Sequence, residues 1–251
     1  KHNVMLLLIG HVTKEGSLAG PKMIEHLVDT VLILEGDRQY QHRILRTTKN
    51  RFGSTNEIGL FEMKQEGMVE MKNPSLQFLQ GRSENAIGSI FTMTMEGNRP
   101  LLTEIQALTN LSPLGYPKRT ANGFDLTRLH ILTAVLQKHS KIKLNEQDIF
   151  INVVGGFKVS DPAVDLAVAL AINSSFYKIE IPSSFAVIGE IGLSGELRQI
   201  SNIEIRLKEL EKLGIKEVII PEMKLSSEYP KLKIHKLKNF KEYNSKNLYQ
   251  T

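Results

Sequence analysis

The stretch DPAVDLAVALAINSS, residues 161–175, decides the fold class of this 251-residue chain. Asp161 and Pro162 are typical of the cap and first turn of a helix. The residues that follow are apolar on nearly every side of a helical projection. A helix without a polar face must be covered by other elements, so the stretch predicts a buried core helix.

Helical and extended patterns alternate on both sides of this stretch. Short runs rich in Val and Ile predict core strands, and longer runs with apolar residues three or four apart predict amphipathic helices. The strands are FAVIGE (185–190) and EVIIP (217–221), and the helices are LTRLHILTAVLQKH (126–139) and IEIRLKELEKL (203–213). Alternation of this kind predicts an α/β domain.

The first part of the chain is richer in strand patterns than the second. VMLLLI, Val4–Ile9, predicts a short buried strand, and several alternating stretches follow it. The polar stretch GRSENAIG then separates this part from a unit that begins with the alternating SIFTMTM. We therefore predict a first unit at residues 1–80, a linker at 81–88 and a second domain at 89–251.

Composition excludes several classes of protein. The chain has no Cys, which rules out disulfides and thiolate metal sites, and its seven His residues form no metal-ligand spacing. No apolar run is long enough to cross a bilayer, and no signal peptide is evident. The net charge of +5 favours a polyanionic partner. We expect a cytoplasmic protein without a membrane or metal partner.

The stretch KNRFG, Lys49–Gly53, ends an alternating strand pattern with two cations. Successive strand residues point to opposite faces, so Lys49 and Arg51 point the same way and Asn50 points away. Two cations on one face suit phosphate oxygens, which accept charge-assisted hydrogen bonds. Ordinary solvated cations at a strand end are the alternative, and the local pattern leaves both open.

Five stretches carry a resemblance to a known family: GHVTKEGSLAGPKMIEHLVDTVL (10–32), KNRFGSTNEIGLFEM (49–63), NPSLQFL (73–79), EGNRPLLTEIQAL (96–108) and GEIGLSGELR (189–198). Together they resemble the bacterial RadA (Sms) DNA-repair family over nearly the whole chain, and KNRFG is that family's signature. The resemblance implies α/β structure throughout: the C-terminal part of a RecA-like ATPase core, then a Lon-protease-like domain. It also implies a fragment, because the family's zinc finger, Walker A loop and Walker B aspartate would lie upstream of Lys1.

The function implied by this resemblance is that of a DNA-repair and recombination motor. Such a protein uses ATP and Mg²⁺ to drive branch migration of recombination intermediates as a homo-hexameric ring. The implied partners are single-stranded and branched DNA, the RecA recombinase and a replicative helicase. For this chain alone we expect no bound ATP, Mg²⁺ or zinc, because the loop that cradles phosphate is not in the sequence.

The resemblance also assigns roles to residues of the first unit. Lys49 and Arg51 would contact the ATP of a neighbouring subunit, where cations stabilise the charge on a transferring phosphoryl group. His11 would sense the γ-phosphate. Lys14 and Lys22, in a glycine-rich loop, would contact DNA phosphates without reading sequence. The motif itself comprises Lys49, Asn50, Arg51, Phe52 and Gly53.

Further DNA contacts are predicted on the second domain, where the segment KLKIHKLKNFK (231–241) carries five lysines and no acid. A solvated, Lys-rich surface is the alternative for each of these residues. The candidates are Lys118, Arg119, Arg128, Lys231, Lys233, Lys236, Lys238 and Lys241.

Two other functions are compatible with a Lon-like second domain. One is a Ser-Lys peptidase, but Ala163 stands where the nucleophilic Ser belongs and Glu204 where the Lys belongs. An alanine has no nucleophile, and a carboxylate reverses the charge of the base, so we expect a catalytically inactive domain. The other is a non-enzymatic module for ring assembly.

Overall fold

The computed structural model describes residues 4–10, 23–36, 42–71, 75–76, 79, 81–113, 115–156 and 158–243. These ranges contain four α-helices and fifteen strands, most of them in two sheets. The α/β class predicted from the sequence is confirmed. Within the described ranges, none of the helices has the length and apolar character that a membrane span requires.

The first sheet is an antiparallel meander that follows the short helix α1 (Met23–Leu27). Its strands pair in chain order, each with the next along the chain. Ile44 and Leu60 lie on its buried face and pack with Met71 and with Leu101 of the second unit. The strands are β1 (Thr30–Glu35), β2 (His42–Asn50), β3 (Ile58–Lys64) and β4 (Gly67–Glu70).

The second sheet has seven strands and is mixed. The strands are β6 (Ser89–Glu96), β7 (Arg99–Leu111), β8 (Arg119–Asn122), β9 (Gln147–Val153), β11 (Phe185–Val187), β14 (Glu217–Pro221) and β15 (Lys233–Leu237). Their order is β15-β14-β11-β6-β7-β9-β8. The first four of these run parallel, whereas β7 pairs antiparallel with β6 and with β9. The sheet edges are therefore β15 and β8, which lie at opposite ends.

Three helices cover this sheet: α2 (Leu126–Ser140), α3 (Asp165–Tyr177) and α4 (Ile203–Lys212). Because successive side chains of a strand point to opposite faces of the sheet, each strand contributes residues to two hydrophobic cores. Ile90 packs in the core that contains α2 and α3, and its neighbour Phe91 packs in the core that contains α4. The result is a three-layer arrangement with a helix layer on each face.

Helix α3 is the buried helix that the opening stretch predicts. Every residue from Asp165 to Ser174 is buried. Asp161 caps the short 3-10 turn Pro162–Val164 that leads into it, and its carboxylate accepts a hydrogen bond from the backbone N of Ala163 at 3.0 Å. The cap chemistry and the apolar composition thus act together to place this helix.

Two short strand pairs complete the second unit: β5 (Asn85–Ile87) with β10 (Glu180–Pro182), and β12 (Glu190–Ile191) with β13 (Leu197–Arg198). Strand β5 lies inside the segment 81–88 that we predicted as a linker. In the same segment the guanidinium of Arg82 donates to the backbone carbonyl of Ser89 at 2.6 Å. The segment is therefore packed against the second unit, because its backbone finds hydrogen-bond partners there.

The strand predicted at Val4–Ile9 is wrong for this structure. Its six side chains are 56–95% exposed, and the segment pairs with no strand in the described ranges. An apolar run becomes a strand only when its backbone pairs with another strand and its side chains are covered, and the described part of the chain provides neither for this run. The residues are apolar, as the sequence shows, but a local pattern does not indicate whether a neighbouring strand is present.

Candidate functional site: the KNRFG turn and the basic surfaces

The KNRFG motif lies at the end of β2 and in the turn that follows. Lys49 is opposite Val31 and Asn50 is opposite Thr30 of β1. The backbone N of Arg51 donates to the carbonyl of Asp29 at 2.9 Å, which continues the pairing for one more residue. The motif is therefore held against the segment that joins α1 to β1.

The Lys49 ammonium caps helix α1. Its Nζ donates to the backbone carbonyls of Glu25 at 2.8 Å and His26 at 3.1 Å. Carbonyls in the last turn of a helix lack helical partners and carry partial negative charge, so they attract a cation. No carboxylate of the described residues pairs with this ammonium, so among them no ion pair has to be broken to release it.

Arg51 forms an exposed ion pair. Its Nη1 lies 3.1 Å from Oδ1 of Asp29, and the two side chains are 61% and 59% exposed. Lys49 and Arg51 thus both contact the stretch between Glu25 and Asp29. An ion pair this accessible to water contributes at most about 1 kcal/mol.

Asn50 organises the turn between the two cations. Its Oδ1 accepts from the backbone N of Phe52, and its Nδ2 donates to the carbonyl of Ser54, both at 3.3 Å. A Cβ at Gly53 would lie 2.9 Å from Asn50 Nδ2, so a larger residue there would displace the Asn50 amide from its present position. The turn leaves the Phe52 ring 82% exposed. Each residue of the motif therefore has a defined place in the turn.

Three predicted site residues cannot be placed. His11, Lys14 and Lys22 lie outside the residues that the structure describes.

Both arginines among the predicted DNA contacts make internal bonds. Arg119 donates to the backbone carbonyls of Lys118, Gln147 and Leu144. Arg128 pairs with the buried carboxylate of Asp165: its Nε is 3.0 Å from Oδ1, and its Nη2 bonds Oδ2. A guanidinium that already satisfies backbone or carboxylate acceptors has fewer donors left for phosphate.

The Asp165–Arg128 pair joins α3, α2 and the β12–β13 hairpin. Asp165 also accepts from the backbone N of Ile191 at 3.2 Å, and Arg128 donates to the carbonyl of Ile191 at 2.8 Å. Burial raises the pKa of the Asp165 carboxyl, and the Arg128 guanidinium opposes that rise. The hydrogen bond to Asp165 in turn raises the pKa of Arg128. The arrangement is that of a structural cross-link.

The lysines at positions 231–241 remain exposed and lie on or beside β15, an edge strand of the seven-stranded sheet. Lys233 pairs with Glu217 at 3.3 Å, and Lys236 Nζ donates to the carbonyl of Met223 at 2.8 Å. Exposed lysines also protect an edge strand from pairing with other chains. Lys118 precedes the opposite edge strand, six strand spacings of about 4.8 Å away, so the two groups do not line one groove.

Ala163 and Glu204, which stand where a Ser-Lys peptidase would have its catalytic dyad, both have structural roles. Ala163 is completely buried in the core that contains α4. Glu204, in the first turn of α4, accepts from the backbone N of Ser226 and from the Tyr229 hydroxyl. These bonds hold the pKa of Glu204 below its usual value, while burial and then Glu204 raise the pKa of Tyr229 to about 12. Glu204 therefore anchors the loop after β14.

Sequence reasoning missed the most buried ion pair in the described ranges. Arg206 Nη2 lies 2.7 Å from Oδ2 of Asp161, and the two side chains are 1% and 13% exposed. The signal was present, because Arg206 lies three residues after Ile203, on the apolar stripe of its helix. A charge on a buried stripe needs a partner, and the cap residue Asp161 supplies it.

A metal centre has no support in the residues that are described. Among them, no three His, Asp or Glu side chains lie close enough together to hold an ion.

Comparison with known proteins places the chain in a family. Residues 128–224 match the family described as subunit ChlI of Mg-chelatase. The DNA repair protein RadA of Bacillus subtilis (strain 168) is 51% identical over 218 residues, which are 87% of this chain and 48% of the relative. The protein of the same name from Streptococcus pneumoniae (strain ATCC BAA-255 / R6) is 48% identical over 225 residues, 90% of this chain and 54% of the relative.

A third relative agrees with these two. The DNA repair protein RadA of Listeria monocytogenes (strain EGD-e) is 49% identical over 219 residues, 87% of this chain and 48% of the relative. The chain thus spans about half the length of the relatives it matches. At this level of identity across most of its own length, the chain belongs to the DNA repair protein RadA family.

Proposed function

We propose that this chain is part of a DNA-repair protein in which ATP hydrolysis drives branch migration of recombination intermediates. In that protein Lys49 and Arg51 contact the nucleotide phosphates of a neighbouring subunit in a ring. The names of the relatives support the DNA-repair role. The arrangement of the KNRFG turn supports the assignment of the two cations.

The observation that carries this proposal is the reversibility of the contacts that Lys49 and Arg51 make. Lys49 binds neutral carbonyls, and Arg51 pairs with a carboxylate that is 59% exposed. A phosphate offers several charged oxygens, and hydrogen bonds between ionised partners are about twice as strong as neutral ones. A phosphate that approaches the turn can therefore replace both internal partners at little cost to the fold.

The chemistry such a clamp performs is electrostatic. Negative charge on the oxygens of a transferring phosphoryl group is stabilised by fixed cations, and an arginine from a neighbouring subunit contributes about 10³–10⁵-fold to the rate in the systems where it has been measured. Lys49 would act as a compact point charge, and Arg51 would offer its planar fork to two oxygens. Asn50 keeps the two cations on one turn.

The test uses a chimaera in which this chain replaces the 218 matching residues of the Bacillus subtilis relative. We expect Lys49→Ala and Arg51→Ala each to lower DNA-stimulated ATP turnover and junction migration at least about 10²-fold, because each removes transition-state charge stabilisation. Arg198→Ala, which removes an equally exposed arginine of the second unit, should leave both rates unchanged. Parental rates in both clamp variants would refute the assignment.

A mixing experiment separates a contact between subunits from one within a subunit. Clamp-variant subunits mixed with subunits whose nucleotide-binding loop is disabled should recover some ATP turnover, since each type supplies what the other lacks. A clamp that acts within its own subunit predicts no recovery.

We also propose that the lysines of the β15 edge bind duplex phosphates. Reversing Lys231, Lys233 and Lys236 to Glu should weaken binding and lower the log–log salt slope by about 0.9 for each phosphate that is no longer neutralised. The measurement is fluorescence anisotropy of a labelled duplex with the whole chain across a salt series. Reversing three other exposed lysines, Lys138, Lys143 and Lys158, is the matched control.

The edge lysines have a competing explanation, which is protection of the strand edge in a module for ring assembly. That explanation predicts an unchanged salt slope and increased self-association of the reversed variant. An unchanged slope would remove these lysines from the DNA path.

A further inference from the structure

A cavity of about 410 Å³ lies against the second unit, on a part of the sheet that does not belong to the KNRFG turn. Its wall is formed by strands β7 and β9 and by the segment 81–89. Three of the β7 residues that line it, Glu104, Gln106 and Leu108, alternate with Ile105, which packs in the core of α2 and α3, so their side chains lie on the opposite face of the sheet. Its side chains combine a carboxylate, amides and apolar groups: Glu104, Gln106, Asn152, Leu108 and Phe150.

Glu104 is the unusual member of this wall. It is only 4% exposed, yet one of its two carboxylate oxygens makes all of its hydrogen bonds. Oε1 accepts from the Ser89 hydroxyl at 2.6 Å and from Gln106 Nε2 at 2.9 Å. In the described ranges no residue donates to Oε2. Oε2 is not sealed from solvent, so a donor that enters the cavity can reach it.

A chain of side-chain amides leads across the sheet to this carboxylate. Asn122 Nδ2 donates to Asn152 Oδ1 at 2.9 Å, and Asn152 Nδ2 donates to Gln106 Oε1 at 3.2 Å. An ionised carboxylate can only accept, so Gln106 must present its amino group to Glu104, and this fixes the direction of each preceding amide. All three amides then point their amino groups towards Glu104.

A ligand that bonds Oε2 in place of water must donate a hydrogen bond, and a positive charge on it would complement the carboxylate. A metal ion is a poor candidate, since no three His, Asp or Glu side chains of the described residues lie close enough together to hold one. An ammonium or guanidinium group meets the requirement with a single carboxylate. The guanidinium of Arg82, which also lines the cavity, is already engaged: its Nη2 donates to the backbone carbonyls of Ser89 and Ile181, and its Nη1 donates to that of Pro182.

Apolar groups beside the carboxylate would contact the rest of such a ligand. Leu108 and Phe150 lie directly opposite each other on β7 and β9 and are 59% and 38% exposed. An apolar surface next to a counter-ion suits an organic cation whose charged head sits on a hydrocarbon stem. The cavity volume is within the range of about 300–1,000 Å³ that is usual for small-ligand sites.

We propose that this cavity binds an organic cation, a guanidinium or ammonium group on a short apolar chain, with Glu104 as its counter-ion. The cation comes either from a free small molecule or from an arginine or lysine side chain of a polypeptide. The site is separate from the proposed nucleotide contact and does not depend on it.

The first test compares two ligands of nearly the same shape on the unaltered chain. Butylguanidinium carries the charge and the donors, whereas butylurea is its neutral analogue. We expect calorimetry to give at least about tenfold tighter binding for butylguanidinium, since a hydrogen bond to a charged partner contributes more than about 1.4 kcal/mol. Equal affinities, or no binding of the cation at millimolar concentration, would overturn the proposal.

The second test removes the counter-ion. Glu104→Gln keeps the size of the side chain and should reduce the preference for butylguanidinium over butylurea to about twofold or less. Glu180→Gln removes an exposed carboxylate of the adjacent β10 and should preserve that preference. Phe150→Ala should weaken both ligands equally, because it removes only the apolar contact. If Glu104→Gln does not fold, the comparison of butylguanidinium with butylurea on the unaltered chain still tests the proposal.

A third arm identifies the source of the cation. A Gly-Arg-Gly peptide with blocked ends is titrated beside butylguanidinium. Binding of the peptide supports a polypeptide side chain, and binding of butylguanidinium with exclusion of the peptide supports a free small molecule. Failure of both would overturn the proposal.

Discussion

Two arginines, one in each unit, form ion pairs of opposite character. In the first unit Arg51 pairs with Asp29 at the protein surface, where both side chains are about 60% exposed. In the second unit Arg206 pairs with Asp161 almost out of contact with water, and its Nη1 also donates to the carbonyl of Met93. An arginine whose carboxylate partner is exposed can therefore exchange it for another anion, whereas an arginine whose carboxylate partner is buried cannot.

Arg128 lies between these two extremes. Its side chain is 28% exposed, but its partner Asp165 is 1% exposed. Viewed from the sequence it resembles any cation in the first turn of a helix. If Arg128 turned to an outside phosphate, the carboxylate of Asp165 would be left buried without a cation. Leaving a buried charge unpaired costs several kcal/mol. The exposure of the partner, more than that of the cation, indicates which arginines can bind a ligand.

The largest effect that this comparison predicts is for Arg206→Ala. The change leaves the Asp161 carboxylate partly buried without its cation, so we expect the free energy of unfolding to fall by about 3–5 kcal/mol. Urea denaturation of the whole chain, followed by circular dichroism, measures it. Arg198→Ala breaks the exposed pair with Glu196 and should change the free energy by less than about 1 kcal/mol. Similar losses in both variants would contradict the role of burial.

Arg51→Ala should behave like the surface control. Its ion pair is open to solvent, so we expect the stability to fall by less than about 1 kcal/mol in the same urea experiment. A decrease close to that of Arg206→Ala would mean that Arg51 holds the fold together, which is incompatible with its exchange from Asp29 to phosphate.

The smallest effect concerns the loop after β14, where Tyr229 bonds Glu204. The Tyr229 pKa is raised from 10.0 to about 12 in the folded chain. The unfolded state therefore loses this proton first, and the free energy of unfolding should fall as pH rises from 10 towards 12. Tyr229→Phe should remove that part of the alkaline dependence, measured by urea denaturation across this pH range. An identical pH profile in both chains would show that the hydroxyl does not bond Glu204 in solution.

Patterns within single elements predicted most of the second unit. The Asp125 carboxylate caps α2 by accepting from the backbone N of Arg128 at 2.7 Å, and Gly214 follows α4 with a φ of 82° that suits glycine. Interactions between distant elements were not predictable in the same way. Arg119 and Arg128 looked like surface cations because their acceptors, Gln147 and Asp165, lie far along the chain.

The sequence by itself determined the α/β class, the buried character of helix α3, the KNRFG turn and the membership of a family. These depend on local chemistry: caps, glycines, apolar periodicity and short motifs. Only the tertiary structure decided which cations have partners, that β15 and β8 lie at opposite edges, and that Ser89, Gln106 and Asn152 converge on Glu104. Strand order and buried hydrogen bonds join residues that are distant in the chain, and a local pattern contains no information about those distances.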